Sequence, residues 1–451
     1  MDNEETYLQQ LSQLANTNGQ IPQDLYHRYN VKRGLRNADG TGVLVGLTNI
    51  GEVHGYTIYE SEKVPDQGKL YYRGYDVESL VQGLQQSGSR FGFEETTYLL
   101  LFGQLPNAGQ LEDFCKLLGE YRELPSNFTV DMILKIPSRN VMNKLARSVL
   151  VLYSYDDEAE DISAPTVLRQ CLQLIARFPV LSAYGYQAIR RYYENKSLFL
   201  HNPDPKLSTA ENFLRLNRPD GTFSPLEAEL LDQLLIVHAE HGGGNNSAFT
   251  MHVVTSSATD TYSAVAAAVG SLKGPRHGGA SLHVKSMMDD LRKSCGEIPS
   301  EREIASYLEK LLDRKAFDES GLIYGMGHAV YTLSDPRAVI LREKARQLAE
   351  EKGMLEQFNV YETIEKISPE IFARKKGTSQ PLCANVDLYS GFVYSMLGIP
   401  EELYTPIFSI ARMAGWSAHR IEQLITGGKI IRPAYKSTAR HRDYIQIADR
   451  L

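Results

Sequence analysis

The sequence is poor in cysteine, has no long apolar run and carries no excess of positive charge. Its four cysteines, Cys115, Cys171, Cys295 and Cys383, form no Cys-x-x-Cys pair, which argues against a disulfide scaffold or a cysteine zinc site and favours a reducing compartment. No apolar stretch approaches the roughly 20 residues of a membrane-spanning helix. With 48 basic and 55 acidic side chains and a net charge of −7, no overall basic field predicts nucleic-acid binding. The first residues are acidic where a secretory or organellar leader would be basic, which indicates a cytoplasmic protein.

Apolar residues recur at helical spacing through most of the chain. From Asp76 onward they return every three or four positions between glycine and proline breaks, which predicts a mostly α-helical protein. The stretch from Val43 to Tyr75 mixes glycines with β-branched and aromatic residues, so it predicts a small β region. Ser224-Pro225-Leu226-Glu227 predicts a helix start with a capping box. A length of 451 residues favours two domains.

Two histidines, His238 and His241, flank Glu240 at the predicted end of that helix. Histidines at this spacing could bind a metal ion with a distant third ligand, which would suggest a metal-dependent hydrolase. The complete zinc-protease and deaminase motifs are absent. The alternative is that the histidines are structural and bond to backbone carbonyls, which suits His238 better than His241.

Two further histidines lie in glycine-rich segments. His277 precedes a predicted helix, where the positive end of the helix dipole favours a neutral imidazole that can donate a hydrogen bond to a developing oxyanion. His328 follows Gly325-Met326-Gly327, and glycine permits close approach of backbone to a ligand. Taken alone, His277 is more often a turn residue than a catalyst.

Asp387 is the carboxylate with the most informative surroundings. In Asn385-Val386-Asp387 the local sequence favours a helix N-cap at Asp387. The flanking apolar residues could equally desolvate the carboxylate and raise its pKa enough to make it a base for carbon acids. Taken alone, the residues favour the N-cap interpretation.

Three arginines differ in how much their positions reveal. Arg337 is predicted in the first turn of a helix that begins at Asp335-Pro336, where its guanidinium could bind a carboxylate. Arg412 interrupts an apolar helix, and a guanidinium there requires an anionic partner, either an internal carboxylate or a bound one. Arg432 lies in a near-terminal segment and is uninformative by itself.

In order and in approximate spacing, these segments resemble citrate synthases over most of the chain. The matching motifs are His238-Ala239-Glu240-His241 with Asn245-Asn246-Ser247, Gly274-Pro275-Arg276-His277-Gly278-Gly279, and Gly325-Met326-Gly327-His328 with Asp335-Pro336-Arg337, followed by Asn385-Val386-Asp387, Arg412 and Arg432. The resemblance implies a mostly α, two-domain, multi-helical fold with a small β region near the amino terminus. Residues 1–276 and 391–451 would form a large domain, and residues 277–390 a small inserted one.

The same resemblance implies a reaction of the tricarboxylic acid cycle. Acetyl-CoA condenses with oxaloacetate, and the citryl thioester is then hydrolysed to citrate and CoA. Asp387 would remove a methyl proton, His277 would donate a hydrogen bond to the enolate oxygen, and His328 would polarise the oxaloacetate ketone. The carboxylates of oxaloacetate would be held by a set of four residues, His241, Arg337, Arg412 and, across the interface of a homodimer, Arg432.

The resemblance also implies residues that support the catalytic groups and residues that bind CoA. Asn245 and Ser247 would support the site, with Ser247 orienting His277 through its backbone carbonyl. No metal and no resident cofactor are expected, because acetyl-CoA is a cosubstrate. Thr332 stands where many relatives have a basic residue near the CoA phosphates, so the CoA contacts are predicted more broadly, at Arg314, Lys315, Gly325, Met326, Gly327 and Lys375, with Arg374 and Lys376 beside them.

The nearest alternative is 2-methylcitrate synthase, which uses propionyl-CoA on the same scaffold. One methylene group in an apolar pocket discriminates by only about 1–3 kcal/mol. The lining of that pocket does not follow from the sequence, so both acyl groups remain open.

Overall fold

The structure is a computed structural model that describes residues 2–37, 39–60, 62–378 and 380–450. It divides into two compact units: a smaller one from Met1–Leu47 with Ile431–Leu451, and a larger one, Thr48–Ile430. The boundaries predicted at residues 277 and 390 both fall inside the larger unit, where they stay a prediction. No helix among the described residues is long and apolar enough to cross a membrane.

Helices are the main secondary structure of the described residues, which confirms the predicted mostly α fold. The smaller unit contains α1 (Asp2–Gly19) and α2 (Gln23–Arg28). The helices of the larger unit are α3 (Val77–Ser87), α4 (Gly92–Phe102), α5 (Ala108–Tyr121), α6 (Val141–Leu152), α7 (Ala164–Tyr193), α8 (Thr209–Asn217), α9 (Pro225–His238), α10 (Asn246–Thr255), α11 (Thr261–Lys273), α12 (Ala280–Cys295), α13 (Glu301–Leu312), α14 (Pro336–Glu351), α15 (Leu355–Lys376), α16 (Val386–Met396) and α17 (Tyr404–Thr426).

The predicted β region forms a three-stranded antiparallel sheet in the order β1-β2-β3. Its strands are β1 (Gly51–Tyr59), β2 (Glu62–Tyr72) and β3 (Tyr75–Asp76). Pairing begins where Gly51 lies opposite Tyr72. Residues 43–50, which the composition also assigns to this region, lie outside the strands, because glycine and β-branched residues favour an extended chain without supplying a partner strand.

The predicted helix starts follow from local capping chemistry. Ser224 accepts from the backbone N–H of Glu227 and forms the expected capping box at the start of α9. Asp335 caps α14 by accepting from the backbone N–H of Arg337. At α16 the prediction of Asp387 as the cap is wrong, because Asn385 takes that position and accepts from the N–H of Asp387.

Helix α17 lies at the centre of the larger unit and positions the candidate site. It packs against α4, α7, α9 and α10, and its residues from Ser409 to Arg420 are all buried. The candidate residues occur at the end of α9, the start of α10, the turn before α12 and the starts of α14 and α16.

Candidate active site

Arg412 is a fully buried guanidinium on α17 with two nitrogens unused. Its Nε donates to the backbone carbonyl of His238 at 2.8 Å, while Nη1 and Nη2 have no hydrogen-bond partner among the described residues. Burial lowers the pKa of Arg412 to about 10, although the charge of Glu240 acts in the opposite direction. Unpartnered buried nitrogens are costly, so the arrangement suits a bound carboxylate better than the internal ion pair that the sequence left open.

Arg337 is the second buried guanidinium, and Asp335 holds it. The carboxylate of Asp335 accepts from Nε at 3.0 Å and from Nη2 at 2.7 Å, a two-point bond that fixes the guanidinium plane. The backbone N–H of Val386 donates to Asp335 at 3.3 Å, which ties the start of α16 to the start of α14. Burial would lower the pKa of Arg337, but the charge of Asp335 raises it above its ordinary value.

His241, His328 and Tyr331 form a cluster of three rings. The His241 ring centroid is 5.3 Å from that of His328 and 5.6 Å from that of Tyr331, and the Tyr331 ring also lies 5.7 Å from the guanidinium of Arg337. Burial lowers the pKa of His241 well below its ordinary value, and Arg337 lowers it further. His241 is therefore a neutral imidazole, and its Nε2 atom is buried without a described partner.

The hydrogen bonds of His328 decide which ring nitrogen carries its proton. Nδ1 faces the backbone N–H groups of Val330 and Tyr331 at 3.1 and 3.2 Å. Both are donors, so Nδ1 accepts and a neutral ring keeps its proton on Nε2. His328 is thus prepared to donate a hydrogen bond from Nε2, which is the property that polarisation of a ketone oxygen requires.

The loop before His328 is fixed to the segment that carries Asp387. Gly325 and Gly327 adopt positive φ angles of 85° and 90°, which glycine adopts without strain. The Gly325 carbonyl accepts from the N–H of Asn385 at 2.9 Å, and the Gly327 carbonyl accepts from the Asn385 side chain at 2.8 Å. These bonds place His328 and Asp387 on two segments that are held together.

Asp387 is a carboxylate in the first turn of α16, partly exposed along one side. Burial raises its pKa to about 6, with Arg337 lowering and Asp335 raising it by smaller amounts. A carboxylate with a raised pKa is a stronger base while it remains ionised at neutral pH. The raised pKa favours the desolvated base over a purely structural carboxylate, and the catalytic role of Asp387 stays a prediction.

His277 bonds to Ser247, a contact predicted from the sequence in a different form. Its Nε2 lies 3.0 Å from the Ser247 hydroxyl oxygen, so the contact uses the side chain rather than the predicted backbone carbonyl. The same hydroxyl accepts from Trp416 Nε1 at 3.1 Å and lies 3.0 Å from the side-chain oxygen of Asn245. Burial, and then the charge of Arg412, lower the pKa of His277 to about 4, so the ring is neutral at neutral pH.

Comparison with known proteins places this arrangement in a family. Residues 38–434 match the family described as "Citrate synthase, C-terminal domain". The chain belongs to the citrate synthase family. The citrate synthase of Haloferax volcanii is 34% identical over 414 residues, which cover 90% of this chain and 96% of that protein.

A solved citrate synthase has the same fold. The crystal structure of the Pyrobaculum aerophilum enzyme aligns with a TM-score of 0.74 and 30% identity, covering 90% of this chain and 94% of that one. The family also includes relatives with another name: 2-methylcitrate synthase 1 of Corynebacterium glutamicum is 32% identical over 427 residues, covering 93% of this chain and 98% of that protein. The resemblance found in the sequence is confirmed.

The basic residues predicted for CoA gather at the ends of α13 and α15. Lys375 forms an ion pair with Asp313 at 2.9 Å, and Lys375, Lys315 and Lys376 all lower the pKa of Asp313. Arg374 pairs with Glu309, and Arg314 directly follows Asp313. Arg432 is the exception among the predicted site residues, because it belongs to the smaller unit.

The metal-dependent alternative lacks ligands in the part of the chain that the structure describes. No group of three or more His, Cys, Asp or Glu side chains there is arranged to hold a metal ion. His238 is instead buried, and its carbonyl accepts from Arg412.

The sequence did not predict several residues of the site. Tyr331 contacts His241 and His328, and Trp416 donates to Ser247. Asp335 was predicted only as a cap, yet it also clamps Arg337. One signal was available: Arg412 and Trp416 are four residues apart in a helix and therefore share a face.

Proposed function

We propose that this chain condenses acetyl-CoA with oxaloacetate and hydrolyses the citryl thioester to citrate and CoA. The unpartnered Nη1 and Nη2 atoms of Arg412 support this activity most directly, because a buried guanidinium with two open donors matches a carboxylate. Arg337 and the neutral His241 complete a grip for a substrate with two carboxylates.

Proton abstraction needs a base and an enolate stabiliser acting together, because a thioester methyl group is a very weak acid. The Asp387 carboxylate takes the methyl proton. His277 stabilises the enolate oxygen by donating from Nδ1, which requires that Ser247 gives its single hydroxyl proton to Nε2. Asn245 then turns its amide nitrogen toward Ser247, an orientation that hydrogen-bond networks rather than atom positions decide.

Carbon–carbon bond formation follows at the ketone. The enolate carbon attacks the ketone carbon of oxaloacetate while His328 transfers the proton on Nε2 to the ketone oxygen, which becomes the hydroxyl of the product. Water then cleaves the thioester, and CoA leaves as the free thiol. No metal or resident cofactor takes part in these steps.

We further propose a cytoplasmic homodimer in which Arg432 reaches the site of the partner subunit. The tail segment that carries Arg432 begins at Ile431 and also contains the exposed Tyr435 and Tyr444. Large exposed apolar side chains in such a segment are suited to packing on a neighbouring chain. The cluster of Arg314, Lys315 and Lys375 supplies positive charge for the CoA phosphates.

The test is release of free thiol from acetyl-CoA by the purified protein, with and without oxaloacetate. We expect release that depends on oxaloacetate and persists after treatment with a metal chelator. Thiol release without oxaloacetate would indicate a thioesterase. Loss of the activity after chelation would favour the metal-dependent hydrolase instead.

A second acyl group deserves the same assay, because 2-methylcitrate synthases are among the relatives. We expect a higher kcat/KM with acetyl-CoA than with propionyl-CoA. The reverse preference would assign the chain to 2-methylcitrate synthesis on the same residues.

A further inference from the structure

Two buried groups of opposite charge lie near each other in the larger unit and do not pair. Glu240 is fully buried, and its Oε2 atom has no described hydrogen-bond partner. The unpartnered nitrogens of Arg412 are equally buried. Among the described residues no carboxylate lies within ion-pair distance of Arg412, although a pair would relieve the cost of both groups.

Steric features show that the Glu240 carboxylate lies close beside the helix of Arg412. A methyl group at Gly415 would approach Glu240 Oε2 to 2.4 Å, and one at Gly51 would approach Glu240 Cγ to 2.8 Å. Gly415 follows Arg412 by three residues and so shares its face of α17. The carboxylate therefore occupies a slot between β1 and α17, on the face of α17 that carries Arg412, and its charge acts on the guanidinium.

His419 provides a reason for the missing pair. Its Nε2 lies 2.9 Å from Glu240 Oε1, and both side chains are fully buried. We propose that His419 holds the Glu240 carboxylate back from Arg412, so that the two outer nitrogens of Arg412 stay open for a substrate carboxylate. His419 is then a positioning residue, and this role rests on the proposed binding of oxaloacetate.

A chain of hydrogen bonds holds His419 through Nδ1, the ring nitrogen that does not face Glu240. Its Nδ1 lies 3.2 Å from His252 Nε2, and His252 Nδ1 lies 2.9 Å from Gln423 Oε1. The Gln423 amide nitrogen points instead toward Gly428, where an added methyl group would approach it to 2.9 Å. With the amide oxygen of Gln423 accepting from His252 Nδ1, His252 Nε2 is left to accept from His419 Nδ1.

The pKa values of His252 and Glu240 indicate the charge on these two members of the chain. Burial lowers the pKa of His252, and the charge of His419 lowers it further, so His252 is neutral. Burial favours the protonated form of Glu240, yet the charge and hydrogen bond of His419, the charge of Arg412 and a backbone hydrogen bond from Gly242 together hold the pKa of Glu240 below its ordinary value. Glu240 is thus an ionised acceptor beside Nε2 of His419.

The position of Glu240 meets two requirements of an arginine that binds a carboxylate: its charge must be stabilised in the empty site, and its nitrogens must stay open for the substrate. A nearby negative charge stabilises the buried guanidinium when the site is empty, but a direct ion pair would compete with the substrate. A carboxylate held by a hydrogen bond to His419 meets the first need and avoids the competition.

Two amide substitutions at one position test this role. The Gln side chain of His419→Gln reaches the place of Nε2 and can still donate to Glu240, whereas the shorter Asn side chain of His419→Asn reaches only the place of Nδ1. Oxaloacetate binding is measured by calorimetry. We expect His419→Gln to bind within about threefold of wild type, and His419→Asn to bind about tenfold or more weakly, because the freed carboxylate turns to Arg412.

The decisive variant is the double substitution Glu240→Gln with His419→Asn. It removes the competing charge, so affinity should return to within about threefold of Glu240→Gln alone, whereas a general packing defect would make the double variant no better than His419→Asn. Equal affinities for the two amide variants, or no recovery in the double variant, would overturn the role of His419.

Two controls keep the outcome interpretable. If His419→Asn does not fold, His252→Leu removes the support at Nδ1 of His419 and should weaken binding in the same direction, with recovery on adding Glu240→Gln; unchanged binding in His252→Leu would count against the chain. Absence of oxaloacetate binding in the wild-type protein would instead refute the proposed function itself.

Discussion

The two compact units of this chain differ in what they bury. In the larger unit, side chains as large as Trp416, Arg412 and Tyr72 are fully buried. In the described part of the smaller unit no residue is buried, and α1 exposes Tyr7, Leu8, Leu11 and Leu14 by 42–59%. Stability and perturbed pKa values both arise from burial, so the chemistry is concentrated in the larger unit, and the smaller unit gains a function only where another surface covers it.

The largest effect should come from the base in the larger unit. Asp387→Asn keeps the size of the side chain and removes its basicity, so kcat should fall by about 10²–10⁴, the usual contribution of general-base catalysis. Oxaloacetate binding measured by calorimetry should be retained. A variant with nearly full turnover would show that Asp387 serves only the first turn of α16.

Next in size is the loss of the open guanidinium. Arg412→Leu should weaken oxaloacetate binding by about 2–5 kcal/mol, the scale for breaking a desolvated charge pair. Arg420 on the same helix is a matched control, because it is also fully buried but all three of its nitrogens donate to Thr255, Thr259 and Thr261.

Arg420→Leu should therefore lower the thermal midpoint without changing oxaloacetate affinity in the folded protein. If the two variants lost affinity equally, Arg412 would be a structural residue like its neighbour. The comparison separates a guanidinium that binds substrate from one that only holds helices together.

The features that the sequence predicted are those with local causes. The capping box at Ser224 and the cap at Asp335 depend on residues within one helical turn. The order of the motifs along the chain was sufficient to indicate the family. Even a local prediction fails where two residues compete, as Asn385 and Asp387 do at the start of α16.

The contacts that the sequence could not predict join distant segments. Glu240 and His419 are 179 residues apart, and Ser247 and Trp416 are 169 apart. Periodicity assigns such residues to a buried face but does not say which faces meet. The charge state of Glu240 follows only once its distant neighbour His419 is known.

The pH dependence of the reaction should report burial in the larger unit. Asp387 has a pKa of about 6 and must be deprotonated to act, so kcat/KM should be constant above that value and fall about tenfold per pH unit below it. His277, with a pKa of about 4, stays neutral across this range. A profile that stays flat down to pH 5 would mean that the Asp387 pKa is not raised in the free enzyme.

In the proposed homodimer the smaller unit contributes Arg432 to the site, and subunit mixing tests this. If each site combines Asp387 of one chain with Arg432 of the other, mixing inactive Asp387→Asn and Arg432→Leu proteins creates heterodimers with one intact site. Activity should then rise toward about half of wild type per heterodimer. Verified subunit exchange without recovery would place both residues within one chain.

The smallest effect is expected for apolar residues of α1, despite their helical spacing. Leu11 is 42% exposed, whereas Leu234 on α9 is fully buried. Leu234→Ala should cost about 2–5 kcal/mol of unfolding free energy through lost burial and a cavity. Leu11→Ser should cost less than about 0.5 kcal/mol, because it removes little buried area. Urea unfolding followed by fluorescence of Trp416, the only tryptophan, measures the stability of the larger unit in both variants.

Protein concentration distinguishes the two ways in which this last expectation can fail. A large loss in Leu11→Ser that is the same at all concentrations would mean that α1 stabilises its own chain, so the division into a packed and an unpacked unit would be wrong. A loss that grows on dilution would mean that the apolar stripe of α1 is covered by a second copy, because association between chains is concentration-dependent and packing within one chain is not. Either result would show that burial of the leucines of α1 adds to the free energy of unfolding. A small effect that does not depend on concentration would show that this free energy comes from burial in the larger unit.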